Sequence, residues 1–337
     1  MYTTIKAAAI SLKPRKWDKE YNADKLERLF RQAARRKPDL MVATEGILEG
    51  YVVIEAIQDP EKAAEMLEIA EPLDGPYITR FRKLARSLKT CLAFGFAERV
   101  DRGVYNAAIF IDAKGTIRGK HHKCRFAEGM HPSWNFNRPG KQLRAFDTPF
   151  GRAGFLICND RWDPGIARAI VLDGAQYLMI CSYGSKSKDQ NDNVMARARE
   201  NGVPIVEANV GMNLIVNKGE RVAYTWGNDK ITTAHIDIPA SPSRTAARAA
   251  ERAYIEHRGP HHARCYRTMI TKRGKGKGSA REPLYWPRPM RWIQCRHATT
   301  AASRICWSPV SCNVSREPGS EGFRGRTGPE HLSGYAG

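Results

Sequence analysis

Residues 151–168 read GRAGFLICNDRWDPGIAR, and this stretch decides how the chain folds. Its first part, residues 153–158, is a short apolar run rich in branched and aromatic side chains, which is typical of a buried strand. The sequence turns polar at Asn159, and Pro164 is suited to the first turn of a helix. The stretch therefore predicts a strand, a turn and a helix, with Cys158 at the carboxyl end of the strand.

Cys158 stands where a strand ends and a helix is about to begin. Backbone N–H groups and the helix dipole favour an anion at such a position, so it suits a reactive thiolate. A lone cysteine is also a common small buried hydrophobe, and only its surroundings make it reactive. This stretch alone leaves both interpretations open.

Strand-like and helix-like segments alternate on both sides of this unit, which favours an α/β architecture. We predict strands over residues 5–12, 40–44, 91–97, 106–112, 175–181, 204–209, 213–216, 222–224 and 231–238. We predict helices over residues 24–37, 61–70, 76–88 and 189–201. Residues 117–140 are polar, rich in lysine and histidine and without periodicity, so we predict that they form a loop at the active edge.

Composition limits the classes of protein that this chain can represent. It has 337 residues, a formal net charge of +20 and eight irregularly spaced cysteines, which do not resemble a secreted disulfide framework. Its first residues lack the apolar core of a signal peptide, and no run approaches the roughly 18 apolar residues of a membrane span. We expect a cytoplasmic protein without a membrane segment.

The chain changes character after about residue 240. We predict a main domain over residues 1–240, a helical extension over 241–272, and a basic, disordered tail over 273–337. The tail holds eleven basic and four acidic residues, a net +7. Its cysteines and histidines do not follow a recognised zinc spacing, so we expect no metal site.

Five blocks of the sequence, taken together and in order, resemble the nitrilase superfamily of carbon–nitrogen hydrolases. The blocks are LMVATEGILEGY (40–51), GTIRGKHHK (115–123), GFLICNDRWDP (154–164), LDGAQYLMICSYGS (172–185) and ARARENGVPIVEANVG (196–211). The resemblance implies a four-layer α-β-β-α sandwich and a homodimer. It also implies hydrolysis of a non-peptide amide or N-carbamoyl bond through a cysteine thioester, with no cofactor or metal.

The resemblance implies a role for each matching residue. Cys158 corresponds to the nucleophile, Glu45 to the general base and Lys123 to the lysine of the triad, with Lys120 as a rival for that last position. Glu128 is the best match for a second, assisting glutamate. A thiol that is mostly protonated at neutral pH needs such a base and such a positive neighbour.

Further residues are candidates for binding the substrate. The backbone N–H of Asn159 would join Lys123 in stabilising the oxyanion, and a residue other than Trp directly after the cysteine favours amidases and N-carbamoyl hydrolases over true nitrilases. Candidate pocket-lining side chains are His121, His122, Trp134, Phe136 and Trp162. The chain departs from the family pattern at Thr44, Arg125, Trp162 and Gly165, none of which is a reactive residue.

Three alternatives stay open at this stage. An acyltransferase would pass the acyl group to an amine instead of water. A catalytically degenerate member of the family would not react at all, although the presence of Glu45, Lys123 and Cys158 argues against it. The third is a nucleic-acid binder that acts through the basic tail. For the main domain we expect a small amide or N-carbamoyl compound as the ligand and not nucleic acid.

Overall fold

The computed structural model describes residues 2–127, 137–184 and 188–240. It contains two six-stranded mixed sheets. The first sheet has the strand order β12-β1-β2-β3-β4-β5. Its strands are β1 (Thr3–Ser11), β2 (Leu40–Ala43), β3 (Cys91–Val100), β4 (Gly103–Ile111), β5 (Ile117–His122) and β12 (Lys230–Ile238).

The second sheet has the strand order β11-β10-β9-β8-β7-β6. Its strands are β6 (Phe146–Thr148), β7 (Gly151–Ile157), β8 (Tyr177–Ser182), β9 (Ile205–Asn209), β10 (Met212–Asn217) and β11 (Glu220–Trp226). The described helices are α1 (Lys19–Ala34), α2 (Val53–Gln58), α3 (Pro60–Ile69), α4 (Pro76–Leu88), α5 (Pro164–Leu172) and α6 (Lys188–Asn201), with a 3₁₀ helix over Cys158–Trp162.

The strands alternate their side chains between two separate cores. On β1, Ala7 and Ala9 pack against the second sheet, whereas Ala8 and Ile10 pack against α1 and α4. The outer face of the second sheet packs against α5 and α6 in a third core that includes Ile170. The layers therefore follow the order helix, sheet, sheet, helix, and the predicted α/β four-layer α-β-β-α sandwich is confirmed.

Parallel strands bring their carboxyl ends to one edge of this sandwich. β1, β2 and β3 are parallel in the first sheet, as are β7, β8 and β9 in the second. β4 is antiparallel to both β3 and β5, so β5 runs in the same direction as β3. The residues that follow β2, β5, β7 and β8 consequently lie at the same edge.

The prediction that residues 117–140 form a loop is wrong for its first six residues, which form β5. The hydrophobic pattern does not predict this strand because its more buried face has few apolar residues. Burial alternates along Ile117–His122, but the residues are mostly glycine, lysine and histidine. Asp112 fixes the turn before it by accepting backbone hydrogen bonds from Lys114 and Thr116, each at 2.9 Å.

The predicted helix over residues 24–37 is shifted in the structure. The helix α1 begins at Lys19, because the Asp18 side chain accepts a hydrogen bond from the Tyr21 N–H and caps the first turn. The boundaries proposed at residues 272 and 273, and everything after residue 240, lie outside the described residues. In the part of the chain that is described, every helix is too short or too polar to cross a bilayer.

Candidate active site

Glu45 and Lys123 form a fully buried ion pair at the shared edge of the two sheets. Glu45 follows β2 and Lys123 follows β5, and the lysine Nζ lies 2.7 Å from the glutamate Oε1. Neither side chain is exposed to solvent. Because an unpaired charge would be very costly at this depth, each residue supplies the partner that the other needs, and the contact fixes both side chains in place.

Cys158 is the first residue after β7 and has a left-handed backbone conformation, with φ of +45°. Such a conformation is unfavourable for a residue with a side chain and persists only where neighbouring contacts enforce it. One of these contacts is a 2.6 Å hydrogen bond from the Arg161 guanidinium Nε to the Cys158 carbonyl. The turn thus presents the thiol at the strand end, only 8% exposed.

Tyr183, the residue after β8, connects the thiol to the ion pair through its backbone. Its N–H donates to Glu45 Oε2 at 2.8 Å, and its carbonyl accepts from Cys158 Sγ at 3.7 Å. Its ring stacks on Tyr51 with the centroids 4.4 Å apart, and the Tyr51 hydroxyl lies 3.4 Å from Lys123 Nζ. One peptide segment therefore holds the thiol and the carboxylate on its two sides.

The geometry of the site agrees with the protein family that the sequence matches. Residues 6–241 match the family model described as carbon–nitrogen hydrolase, which is well over half of the chain. The chain belongs to the carbon–nitrogen hydrolase family. The predicted membership of the nitrilase superfamily, in its amidase and carbamoyl-hydrolase branch, is confirmed by this match together with the relatives described next.

Two plant relatives are named N-carbamoylputrescine amidase. The protein from Oryza sativa is 31% identical over 198 residues, which cover 58% of this chain and 62% of the rice protein. The chain thus spans less than two thirds of that relative. The protein from Solanum lycopersicum is 30% identical over 246 residues, covering 69% of this chain and 78% of the tomato protein.

Among solved structures, a variant of the amidase from Nesterenkonia sp. AN1 has a similar fold. It superposes with a TM-score of 0.59 at 19% sequence identity, covering 70% of this chain and 93% of that one. At this level of identity the likeness concerns the fold alone, and it supports the four-layer arrangement of this carbon–nitrogen hydrolase.

Asp160 joins the cysteine turn of the hydrolase to the segment that carries Lys123. The fully buried carboxylate accepts from the Ile157 N–H at 3.0 Å and from the Cys124 and Arg125 N–H groups at 3.1 and 2.8 Å. It also lies 3.0 Å from His121 Nε2. Since Ile157 precedes the thiol and Cys124 follows the lysine, this one side chain fixes the spacing of the two segments.

Arg161 braces the same turn from inside the protein. Its guanidinium is fully buried and, besides the Cys158 carbonyl, binds the Glu207 carboxylate and the Ser182 hydroxyl. Burial works to lower the pKa of Arg161, but the adjacent Glu207 carboxylate and Cys158 together raise it above its usual value. The arginine therefore stays charged and hydrogen-bonded beneath the turn.

The rival lysine lies elsewhere. Lys120 points from β5 to Glu98, 2.6 Å away, and its side chain is 31% exposed. Glu98 also binds His122, at 2.5 Å. Of these two lysines, therefore, only Lys123 pairs with Glu45.

The predicted binding residues are distributed unevenly around the site. The side-chain amide of Asn159 donates to the Phe126 carbonyl at 3.1 Å, which ties the turn to the lysine segment. The His122 ring stacks on Tyr105, and burial, partly offset by Glu98, lowers its pKa. Trp162 is 39% exposed at the end of the 3₁₀ helix. Of the remaining predicted residues, His121 is buried against Asp160 as described above, whereas Glu128, Trp134 and Phe136 lie outside the described residues.

Sequence reasoning missed Asn106, whose side-chain N–H donates to Glu45 Oε1 at 2.7 Å. A signal for it does exist: Phe110 and Ala108 face the core between the sheets, and the same alternation places Asn106 at the end of that row. It also missed Glu49, a buried carboxyl that accepts from the Ala97 N–H at 2.9 Å and whose pKa burial raises to about 7. Across the described ranges, no group of three or more His, Cys, Asp or Glu is arranged to hold a metal ion.

Proposed function

We propose that the protein hydrolyses the carbon–nitrogen bond of linear amides or N-carbamoyl compounds, with Cys158 as the nucleophile. The observation that carries the proposal is the buried Glu45–Lys123 pair beside the thiol. The Glu45 carboxylate and the Cys158 thiol both form hydrogen bonds with the backbone of Tyr183. Membership of the carbon–nitrogen hydrolase family and the two N-carbamoylputrescine amidase relatives support the reaction and the substrate class.

In the first half of the proposed reaction, the Cys158 sulfur forms a bond to the substrate carbonyl carbon while Glu45 takes the thiol proton. The carbonyl electron pair moves to its oxygen, and Lys123 together with the Asn159 N–H stabilises the resulting oxyanion. Glu45 then gives the proton to the substrate nitrogen as the carbon–nitrogen bond breaks. Ammonia or an amine leaves, and the acyl group remains on sulfur as a thioester.

In the second half, water replaces the departed amine. Glu45 takes a proton from the attacking water, and the oxygen bonds to the thioester carbon. When the carbon–sulfur bond breaks, the proton returns to sulfur and the acid or carbamate product leaves. We assign Glu128 an assisting role in these proton transfers, as the family resemblance implies, and Glu128→Gln is the variant that tests it.

The test is ammonia release from a panel of primary amides, N-carbamoyl amino acids and N-carbamoyl amines. We expect release by the wild type and none by Cys158→Ala. The matched control is Cys91→Ala: Cys91 is buried in the core between the sheets, where burial raises its pKa to about 12, so its loss should leave activity intact. If the folded wild type releases no ammonia from any compound of the panel, the proposal is refuted. A rate that saturates with an added amine would identify an acyltransferase instead.

The proposal extends to the form in which the protein works. We propose a homodimer, as the family resemblance implies, which light scattering coupled to size-exclusion chromatography would test. We also propose a reducing compartment such as the cytoplasm, because all four cysteines in the described ranges, Cys91, Cys124, Cys158 and Cys181, are free thiols.

A further inference from the structure

Asn106, in the first half of β4, contacts both members of the buried ion pair. Its side-chain N–H donates to Glu45 Oε1 at 2.7 Å, and its backbone carbonyl accepts from the Lys123 N–H at 2.8 Å. The inward row along β4 is apolar at Phe110 and Ala108, so an amide at the third position interrupts an otherwise continuous core. The interruption falls where the row meets Glu45.

The nitrogen and the oxygen of the Asn106 side-chain amide differ in their hydrogen bonding. Within the described part of the chain, the buried side-chain oxygen Oδ1 has no hydrogen-bond partner. A buried polar group without a partner lowers stability, so such positions in native proteins call for an explanation. At this position the N–H end satisfies a carboxylate that belongs to the proposed machinery.

A comparison with Asn213 separates this role from ordinary packing. Asn213, in β10, is fully buried, and its side-chain oxygen, like that of Asn106, has no partner among the described residues. Its N–H groups, however, bind the Lys230 carbonyl and the Thr232 hydroxyl at 3.0 and 3.1 Å, both structural groups. The unpaired oxygen is therefore common to both residues, and the bond to Glu45 is what distinguishes Asn106.

We infer that Asn106 is a positioning residue for the general base: it fixes the orientation of the Glu45 carboxylate and favours its ionised form. This inference rests on the proposed function of Glu45. Asn106 and Lys123 both donate to Oε1, while the Tyr183 N–H donates to Oε2. The carboxylate cannot rotate without breaking charge-assisted hydrogen bonds on both oxygens.

The inference predicts the direction of a change with pH. A donor to the ionised form of an acid favours that form, so its removal lets the carboxylate take up a proton at higher pH. The charged and titratable groups around Glu45 are Lys123, Glu49, Cys181, Tyr51 and, through the Tyr183 peptide, Cys158. Because these groups are unchanged in a variant at position 106, the acid limb of the pH profile should move upward.

The test compares Asn106→Leu, which has a similar volume, and Asn106→Ala, which avoids crowding, with the control Asn213→Leu. For each folded variant, kcat and KM are measured between pH 5 and 9 on the best substrate of the panel. We expect both Asn106 variants to lose about 10- to 150-fold in kcat, the effect of one hydrogen bond to a charged group, with KM changed less than about threefold. Their acid limb should move to higher pH, while Asn213→Leu should lose thermal stability alone.

A second readout keeps this inference separate from the proposed function. The rate at which iodoacetamide alkylates Cys158 is followed against pH by mass spectrometry of its peptide, which requires no substrate. We expect the acid limb of alkylation to move upward in both Asn106 variants and to stay in place in Asn213→Leu. If both profiles keep their position and kcat falls no more than in the control, the inference is wrong, whatever the substrate panel shows.

Discussion

Replacing Asp160 with Asn should weaken the protein and its activity together. The carboxylate accepts four hydrogen bonds, and an amide of the same shape can accept only on its one oxygen. With that oxygen toward the Cys124 and Arg125 N–H groups, the new NH₂ group faces the Ile157 N–H, a donor against a donor. The bonds to Ile157 and His121 are then the ones at risk.

The size of the effect follows from these contacts. Losing two buried hydrogen bonds to a charged group and opposing two donors should cost about 3 kcal/mol of the free energy of unfolding. For a domain of this size that corresponds to a melting temperature about 6–12 °C lower. Because Ile157 precedes Cys158, movement of the turn should also reduce kcat, by up to about 100-fold for a displacement near 1 Å.

The matched control is Asp112→Asn. Asp112 is a buried carboxylate that accepts from the Lys114 and Thr116 N–H groups and from Arg118, in the turn before β5. Differential scanning calorimetry and kcat per folded molecule are measured for both variants. Asp112→Asn should lower the melting temperature without changing kcat. If Asp160→Asn melts within 2 °C of the wild type and keeps its kcat, the reasoning from these contacts fails.

Three other substitutions test the site. Lys123→Met should lower kcat/KM at least 100-fold on the best substrate, because an oxyanion donor is lost. Lys120→Met should change kcat/KM less than threefold, and equal effects of the two substitutions would favour Lys120 as the lysine of the triad. Gly95→Ala should lower kcat at least tenfold with an intact fold, because its Cβ would lie 2.7 Å from the Glu45 Cα; an unchanged kcat would contradict the crowding. Burial raises the pKa of Glu49 from 4.5 to about 7, so the folded state binds this proton more tightly and stability falls as pH rises through that window. Between pH 5 and pH 8, the free energy of unfolding of Glu49→Gln, measured by urea denaturation, should fall by about 3 kcal/mol less than that of the wild type. An equal fall in both proteins would exclude a raised pKa at Glu49.

The positions of two site residues could be predicted from local sequence alone. Buried parallel strands are continuous apolar runs, so the sequence shows where they end. Cys158 follows such a run directly, and Glu45 is the second residue after one. The edge strand β5 has no such run, which is why its end, and with it the choice between Lys120 and Lys123, depended on family resemblance. The ion pair at 2.7 Å now distinguishes them.

The supporting contacts could not be predicted, for a physical reason. Tyr183 acts through backbone atoms, which carry no sequence signal. The alternation along β4 indicates that Asn106 faces inward, but not that it meets Glu45, about sixty residues away along the chain. Asp160 is readable as a polar residue in a turn, but its partners at Ile157 and Cys124 depend on how β5 approaches β7. Such contacts follow from tertiary packing, which a local pattern does not specify.

The backbone bridge at Tyr183 has a consequence for how this site can be altered. Its N–H donates to the Glu45 carboxylate and its carbonyl accepts from the Cys158 thiol, while the Glu45 N–H donates to the Ser182 carbonyl at 3.4 Å. At this edge the two sheets are therefore joined by one main-chain bond and by the bond from the Tyr183 N–H to the Glu45 side chain. A side-chain substitution at Tyr183 keeps those bonds. The separation of thiol and carboxylate is therefore set by how the sheets pack at this edge. Substitutions that change the volume of the core next to this edge, unlike Cys91→Ala at the start of β3, should change kcat even though they touch neither residue.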